Sequence, residues 1–389
     1  MKKILFISHE ASRTGAPSVL LSLMEKIKSE DLYQFDVLLI NENEDVDILK
    51  DFKELTPNVF VWNRKKKTIF QKLFNVLFFN RLKELHDRKL LKLLKKNNYT
   101  LIYANSVASS KEALIIKNYL SISAILHVHE LEYLTNWIVG RELFSDIVNG
   151  FDHFIAVSYA VRDSLIDNYE VSSQKIKVVY SFTSNLDAEK IEMSNDDIYD
   201  QLNISDKTFV VGAAGSVYWV KGFDVFILLA EYFCSNYPEV DCVFTWVGNV
   251  PRYERQQIDH DLKKLDLTDK VKFIGKKSDP MRYFNIFDVF VLTSREESFG
   301  LVCLESATLS KPIICFDKVG GMVEFVEDDA GFIVPYLSIK EMAEKIFVLF
   351  QDENLRKKMG EKAKEKAITK YSKEISIESI LNVIDNCLI

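Results

Sequence analysis

The sequence predicts an α/β protein built from two Rossmann-like parallel-sheet domains facing across a cleft. Three observations carry this. Short apolar runs of strand length alternate with segments of helical spacing, the pattern of βαβ units. The alternation runs twice, on either side of a polar, acid-rich stretch that suits a domain junction. The chain has 389 residues, 48% of them hydrophobic, enough for two cores without a disulfide or metal staple.

The elements follow in order. Ile4–Ser8 is the first apolar run. Ser18–Ile27 has helical spacing in Val19, Leu20, Leu23 and Ile27, with Pro17 where a first turn tolerates it. Phe35–Ile40, Leu101–Tyr103, Ala124–His129, Phe154–Val157 and Lys177–Tyr180 read as further strands. Residues 1–182 therefore form the first domain. Residues 183–206 form the junction. The pattern restarts in 207–369, with strands at Phe209–Gly212, Cys242–Val247, Val271–Ile274, Val289–Leu292 and Pro312–Phe316, and a helix at Phe223–Phe233. From Ser338 onward the chain is amphipathic and rich in Lys and Glu. Open sheets of this kind bind ligands at the carboxyl ends of their strands.

Composition excludes several classes. The five cysteines form no CxxC and no Cys/His zinc spacing, which suits a reducing cytosol. The start, MKKILFISHE, has only four consecutive apolar residues and reads as a strand rather than a signal peptide. No uncharged run approaches the length of a membrane span. The formal net charge is −7, which argues against a dedicated nucleic-acid binder. The charge is uneven, however. Residues 64–96 carry twelve Lys/Arg and two acids, so this segment is +10 and the remainder −17. Its Phe and Leu residues recur at helical spacing between cations. A basic amphipathic element of this kind reads as a contact for an anionic membrane surface, or as a domain helix with solvated lysines.

The chemistry concentrates in Ser294–Pro312, SREESFGLVCLESATLSKP. A strand leads into a turn at Gly300, and a helix starts near Leu301. The free amides at that start, around Phe299 to Val302, form an anion site. Glu297 precedes the turn and Glu305 lies one helical turn beyond it. Carboxylates accept hydrogen bonds from paired sugar hydroxyls, so a phosphorylated sugar compound fits both halves. Solvated glutamates on an ordinary strand–turn–helix are the alternative. A second segment, Gly215-Ser216-Val-Tyr-Trp-Val-Lys221-Gly222, joins a strand to a helix with a lysine suited to phosphate. Near the start, Ser8-His-Glu-Ala-Ser-Arg-Thr-Gly15 is a strand–loop–helix without the GxGxxG spacing of dinucleotide cofactors. His127 and His129 alternate on one strand face, with no third ligand at metal spacing. Asp45-Val-Asp47 is formally a DxD but sits in a solvated acidic loop.

Glu297-Ser-Phe-Gly-Leu-Val-Cys-Leu-Glu305 resembles the E-x7-E signature of the retaining glycosyltransferases of family 4, which have the GT-B fold. Asp288–Ser294, Lys311-Pro312, Gly320–Glu324 and Gly331–Pro335 resemble the segments around that motif. The resemblance implies that Glu305 binds the nucleotide ribose, Glu297 the donor sugar, and the amides of Phe299, Gly300 and Leu301 the sugar or diphosphate. Lys221 matches the lysine of the family's G-R-x-x-x-x-K-G segment, which holds the leaving diphosphate. Ser216 stands where that segment has arginine. Gly15 matches the first glycine loop, which sits beneath the donor phosphates and beside the acceptor, and His129-Glu130 the strand-end pair near the reacting sugar, leaving His127 structural. Residues 370–389 are expected to pack back onto the first domain.

The resemblance thus implies transfer of a sugar from a nucleoside diphosphate sugar, expected to be a UDP-sugar, to a hydroxyl of a glycan or glycolipid. No metal, further cofactor or nucleic-acid partner is expected. The expected setting is cytoplasmic and peripheral on the inner membrane face. Two other readings stand beside it: another GT-B enzyme, such as an epimerase or phosphorylase, or a non-catalytic glycosyltransferase-like partner subunit.

Overall fold

The computed structural model describes residues 2–12, 15–41, 47–63, 87–183 and 195–388. The chain divides into two compact units. One is Met1–Tyr180 together with Ser376–Ile389, and the other is Ser181–Ile375.

The first unit holds seven strands: β1 (Lys3–Ser8), β2 (Gln34–Asn41), β3 (Val59–Asn63), β4 (Leu101–Asn105), β5 (Ser123–Val128), β6 (His153–Ala156) and β7 (Ile176–Val178). All pair in parallel, in the order β3-β2-β1-β4-β5-β6-β7. Interior strands of such a sheet are covered on both faces, so they are apolar throughout rather than alternating. Ile4 to Ile7 of β1 and Leu101 to Ala104 of β4 are fully or almost fully buried. The helix Gly15–Ser29 returns from β1, with Pro17 in its first turn and Val19, Leu20, Leu23 and Ile27 buried. The helix Lys373–Leu388 buries Ile377, Ile380, Ile384 and Leu388 along one face. From it Asp385 accepts a hydrogen bond from Tyr33, and the Leu388 carbonyl accepts one from Lys2.

The second unit holds β8 (Phe209–Ala214), β9 (Cys242–Val247), β10 (Val271–Phe273), β11 (Val289–Leu292), β12 (Ile313–Phe316) and β13 (Gly331–Val334). They are also parallel, in the order β10-β9-β8-β11-β12-β13. Its core includes an aromatic cluster in which Phe226 meets Phe244, Trp246 and Phe273 edge-on. The stretch read as a junction holds the helix Asp196–Leu202, tied to the second unit by two hydrogen bonds that Arg282 Nη2 donates to the Asp197 carboxylate, at 2.7 and 2.9 Å.

Both sheets reverse their winding at one place, between β1 and β4 and between β8 and β11. In doubly wound sheets ligands bind at that switch point, outside the carboxyl ends of the strands. Of the basic segment, residues 64–86 lie outside the described residues. Residues 87–95 are helical, with Leu90 and Leu94 buried and Leu93 about half exposed. Among the described residues no helix is long and apolar enough to cross a membrane.

Candidate functional site

In the second unit, the loops that follow the strands are bound to one another. The amide of Gly215 donates to the Val247 carbonyl at 2.9 Å, and that of Val217 to the Asn249 carbonyl at 2.8 Å. The amide of Glu297 donates to Val319, and the Glu297 carbonyl accepts from Gly321, at 2.7 and 3.0 Å. Backbone polar groups in a ligand-facing loop need such partners to hold one conformation.

Lys221 and Glu297 meet here. Lys221 Nζ donates to Glu297 Oε2 at 2.5 Å, and Ser294 Oγ lies 3.4 Å from the same oxygen. Both side chains are largely buried. Burial by itself lowers the Lys221 ammonium. The Glu297 carboxylate, with Tyr218 next in weight, outweighs burial and holds the pKa above its ordinary value. The lysine is therefore a fixed cation at neutral pH. Burial is also the main reason the neighbouring Cys303 thiol stays protonated, with the Glu297 charge adding to it.

The loop carrying Lys221 is clamped from behind. Arg295 binds Asp224 through both guanidinium arms, at 2.8 and 2.7 Å, and donates to the Trp219 carbonyl at 2.7 Å. Its guanidinium also stacks on the Trp219 ring, 4.6 Å from the centroid. Burial would raise the Asp224 carboxyl, but the Arg295 hydrogen bonds and charge bring its pKa below the usual value. Gly222 ends this loop in a left-handed conformation, φ 69°, where an added Cβ would lie 1.9 Å from the Thr293 carbonyl oxygen. No other residue fits there.

The helix Leu301–Thr308 begins after Gly300, which supplies no side-chain cap to its first amides. Phe299 is buried, its ring packed against Tyr371 at 5.3 Å. Its side chain is thus core, and only its backbone is available to a ligand. Glu305 is half-buried on this helix and accepts from Thr183 Oγ1 at 3.2 Å. Ser216 is exposed. Arg295 does not stand in for the arginine missing there, since both its arms are on Asp224.

In the first unit, Gly15 is exposed and opens the helix after β1. A polar cluster sits at the ends of β1, β4 and β5. His129 Nε2 pairs with Asn105 Oδ1 at 3.0 Å. His127 is buried, its Nδ1 2.6 Å from the Tyr103 hydroxyl, and its ring lies 4.0 Å from that of His129. Burial, then the His9 charge, pushes His129 down to about 3. Burial, then His129, lowers His127 as well. Glu130 accepts from Ser106 Oγ at 2.5 Å and from the amides of Val107 and His129 at 3.2 and 3.0 Å. Burial nevertheless raises its pKa. Among the described residues no three His, Cys, Asp or Glu are arranged to hold a metal.

The sequence-predicted residues thus gather in two groups: Lys221, Glu297, Phe299, Gly300, Leu301, Glu305, Gly215 and Ser216 around the second switch point, and Gly15 and His129 around the first. Sequence reasoning missed Arg295, Asp224 and Tyr218 in one group and His9, Asn105 and Ser106 in the other. Arg295 stood inside the quoted motif, but its partner is 71 positions away and no spacing rule reaches it.

The chain is similar in sequence and in fold to known glycosyltransferases. Residues 194–366 match the family model of glycosyl transferases group 1, and residues 61–183 that of glycosyltransferase family 4. A capsular polysaccharide biosynthesis glycosyltransferase of Staphylococcus aureus is 28% identical over 233 residues, covering 59% of this chain and 60% of that protein. The N-acetyl-alpha-D-glucosaminyl L-malate synthase of Bacillus anthracis is 31% identical over 147 residues, 38% of each chain. The chain thus spans 60% and 38% of the length of these two relatives. Among solved structures, Anabaena HepE in complex with UDP and glucose superposes with a TM-score of 0.80 at 20% identity, covering 99% of this chain and 100% of that one. Staphylococcus aureus TarM superposes at 0.74 with 16% identity, over 99% of each chain. At such identities the likeness speaks for the fold alone.

Proposed function

Since this chain belongs to the family 4 glycosyltransferases and has their GT-B fold, we propose that it is a retaining enzyme that moves a sugar from a UDP-sugar to a hydroxyl of a glycan or glycolipid, in the synthesis of a surface polysaccharide. The observation that carries the reading is the Lys221–Glu297 pair, a fixed cation and a carboxylate beside the amide end of the helix Leu301–Thr308. The UDP and glucose bound by HepE, and the capsular role of the Staphylococcus aureus relative, support the donor and the product class.

In this reading the acceptor oxygen bonds to the anomeric carbon as that carbon's bond to the diphosphate oxygen breaks. The hydroxyl proton leaves with the diphosphate. Negative charge grows on the departing group, and Lys221 with the helix amides stabilises it. Glu297 holds the lysine in place and takes the sugar hydroxyls, Glu305 takes the ribose, and His129 serves as a polar contact to a sugar or acceptor hydroxyl. Removing one such donor to developing charge typically costs about 100- to 1,000-fold in rate.

A panel of nucleotide sugars read by thermal shift and nucleotide release tests both donor and turnover. Lys221→Ala is expected to lower release about 100-fold or more with the fold intact, and Glu305→Ala to weaken nucleotide binding. Wild-type turnover in both variants rejects the assignment. Exposed Ser216 in place of arginine favours a second reading, a non-catalytic subunit, which binding without turnover would select. An isomerised free nucleotide sugar, or phosphate-dependent cleavage, would instead select an epimerase or a phosphorylase.

The +10 segment supports a further part of the proposal, docking on an anionic membrane through residues 64–96. Near such a surface each cation contributes about 1 kcal/mol. Replacing Lys65, Lys66, Lys67 and Lys72 with Gln should sharply reduce co-sedimentation with phosphatidylglycerol vesicles. Equal binding by both proteins, or none by either, removes this part.

A further inference from the structure

Beside the loop that carries Lys221, the second unit has a groove of about 720 Å³ whose lining includes Trp219, Tyr253, Glu254, Gln257, His260 and Asp261. This volume falls within the range of about 300–1,000 Å³ typical of small-ligand sites. We propose that the groove binds a neutral oligosaccharide, at a site separate from the nucleotide-sugar pocket.

The first argument is the aromatic pair. Trp219 is 51% exposed and Tyr253 68% exposed, and both line the groove. A pyranose ring presents an apolar C–H face together with hydroxyls at its edge. Indole and phenol rings match it, each being an apolar plane with one polar group. Trp219 is also fixed before any ligand arrives, because Arg295 stacks on its ring and bonds its carbonyl. A group already ordered loses little freedom on binding.

The second argument is the helix Arg252–Lys264. Tyr253, Gln256, Gln257 and His260 recur at i, i+3, i+4 and i+7, one stripe along its surface. Here the buried residues are Ile258 and Leu262, and the Tyr253 stripe is left to the groove. It offers amide donors and acceptors and an imidazole at successive turns, the mixed complement that sugar hydroxyls require.

The third argument is charge. Asp224 in the wall is neutralised by Arg295. Glu254 and Asp261 add carboxylates, and among the described residues no lysine or arginine lines the groove. Like charge disfavours a phosphate-linked chain, a nucleotide or an anionic headgroup there. An uncharged chain of sugars remains.

The test is calorimetric titration of the full chain with maltohexaose and with N-acetylchitohexaose, each with and without saturating UDP. At least one hexasaccharide is expected to bind, with the same affinity in UDP. Tyr253→Ala should weaken it about tenfold or more, as loss of a central aromatic contact does, while Tyr253→Phe keeps it. Gln257→Ala, at an exposed position, provides a second variant whose fold is not at risk. No binding of either hexasaccharide, unchanged binding in Tyr253→Ala and Gln257→Ala, or displacement by UDP overturns the proposal. Donor binding is read separately by titrating UDP alone, so this result and the sugar-transfer reading fail independently.

Discussion

Lys221 and Glu297 lie 76 positions apart in the chain and share one short hydrogen bond. Each was singled out from its own motif, with a different task, and nothing in the sequence pairs them. At this scale the pairing matters because a buried lysine without an anion would lose its proton more readily. Glu297 keeps Lys221 charged. The histidines of the first unit follow the opposite logic. His9, His127 and His129 all have lowered pKa values, with burial the largest cause. Below about pH 6.5 an unfolded chain takes up protons that these buried rings refuse, so stability falls as the pH falls from about 6.5 toward 3. Glu130 works in the other sense, because its raised pKa favours the protonated folded state. For His129 alone the loss between pH 7 and pH 5 is on the order of 2 kcal/mol. Urea unfolding at the two pH values checks this. His129→Gln should lose less stability over that interval than the wild type, and an identical loss would show that His129 is not a source of the slope.

At the scale of the element, the loop from Gly215 to Gly222 shows how little freedom the fold leaves. It is bonded to the loop after β9 on one side and to Arg295 and Thr293 on the other. Gly222→Ala would put a methyl group into the Thr293 carbonyl at a strained φ. It is expected to destabilise the protein by about 2 kcal/mol or more and to abolish donor binding. Gly140 is the control. It too has a positive φ, 90°, but nothing lies within 4 Å of its added Cβ. Gly140→Ala should cost only the conformational strain, about 1 kcal/mol. Equal unfolding midpoints for the two variants would mean that the Thr293 contact is relieved by movement. The elements were legible in the sequence where burial is continuous. β1, β8, β9 and β11 are interior strands covered on both faces, and their apolar runs mark them within a residue or two. β3 was not singled out. It is an edge strand in which Val59, Phe60 and Val61 are only half-buried, so no run of fully buried residues marks it. β13, the opposite kind of edge in the second sheet, was visible only through the family resemblance. The site was legible as motifs. Its clamps, Arg295 on Asp224 and Asn105 on His129, were not, because they join residues that meet only after the sheet has formed.

At the scale of the whole molecule, both units use the same strand order and each gathers its polar residues at its own switch point. The chain does not divide simply at its middle, however. The last residues, Ser376–Ile389, belong with the first unit although 195 residues of the second unit come between. Their four buried apolar side chains are each worth about 1.5–3 kcal/mol of burial. That sum is comparable to the entire stability of a typical domain, about 5–15 kcal/mol. A chain ending at Ile375 should therefore lose hydrogen-exchange protection throughout β1–β7 while β8–β13 stay protected. Apart from Gly15, the residues assigned to the donor, from Gly215 to Glu305, lie within Ser181–Ile375, so UDP binding should survive the truncation while sugar transfer does not. Protection lost equally in both units, or UDP binding lost along with transfer, would mean that the second unit does not stand on its own core. Retained protection in β1–β7 would mean instead that the first sheet needs no cover from the terminal helix.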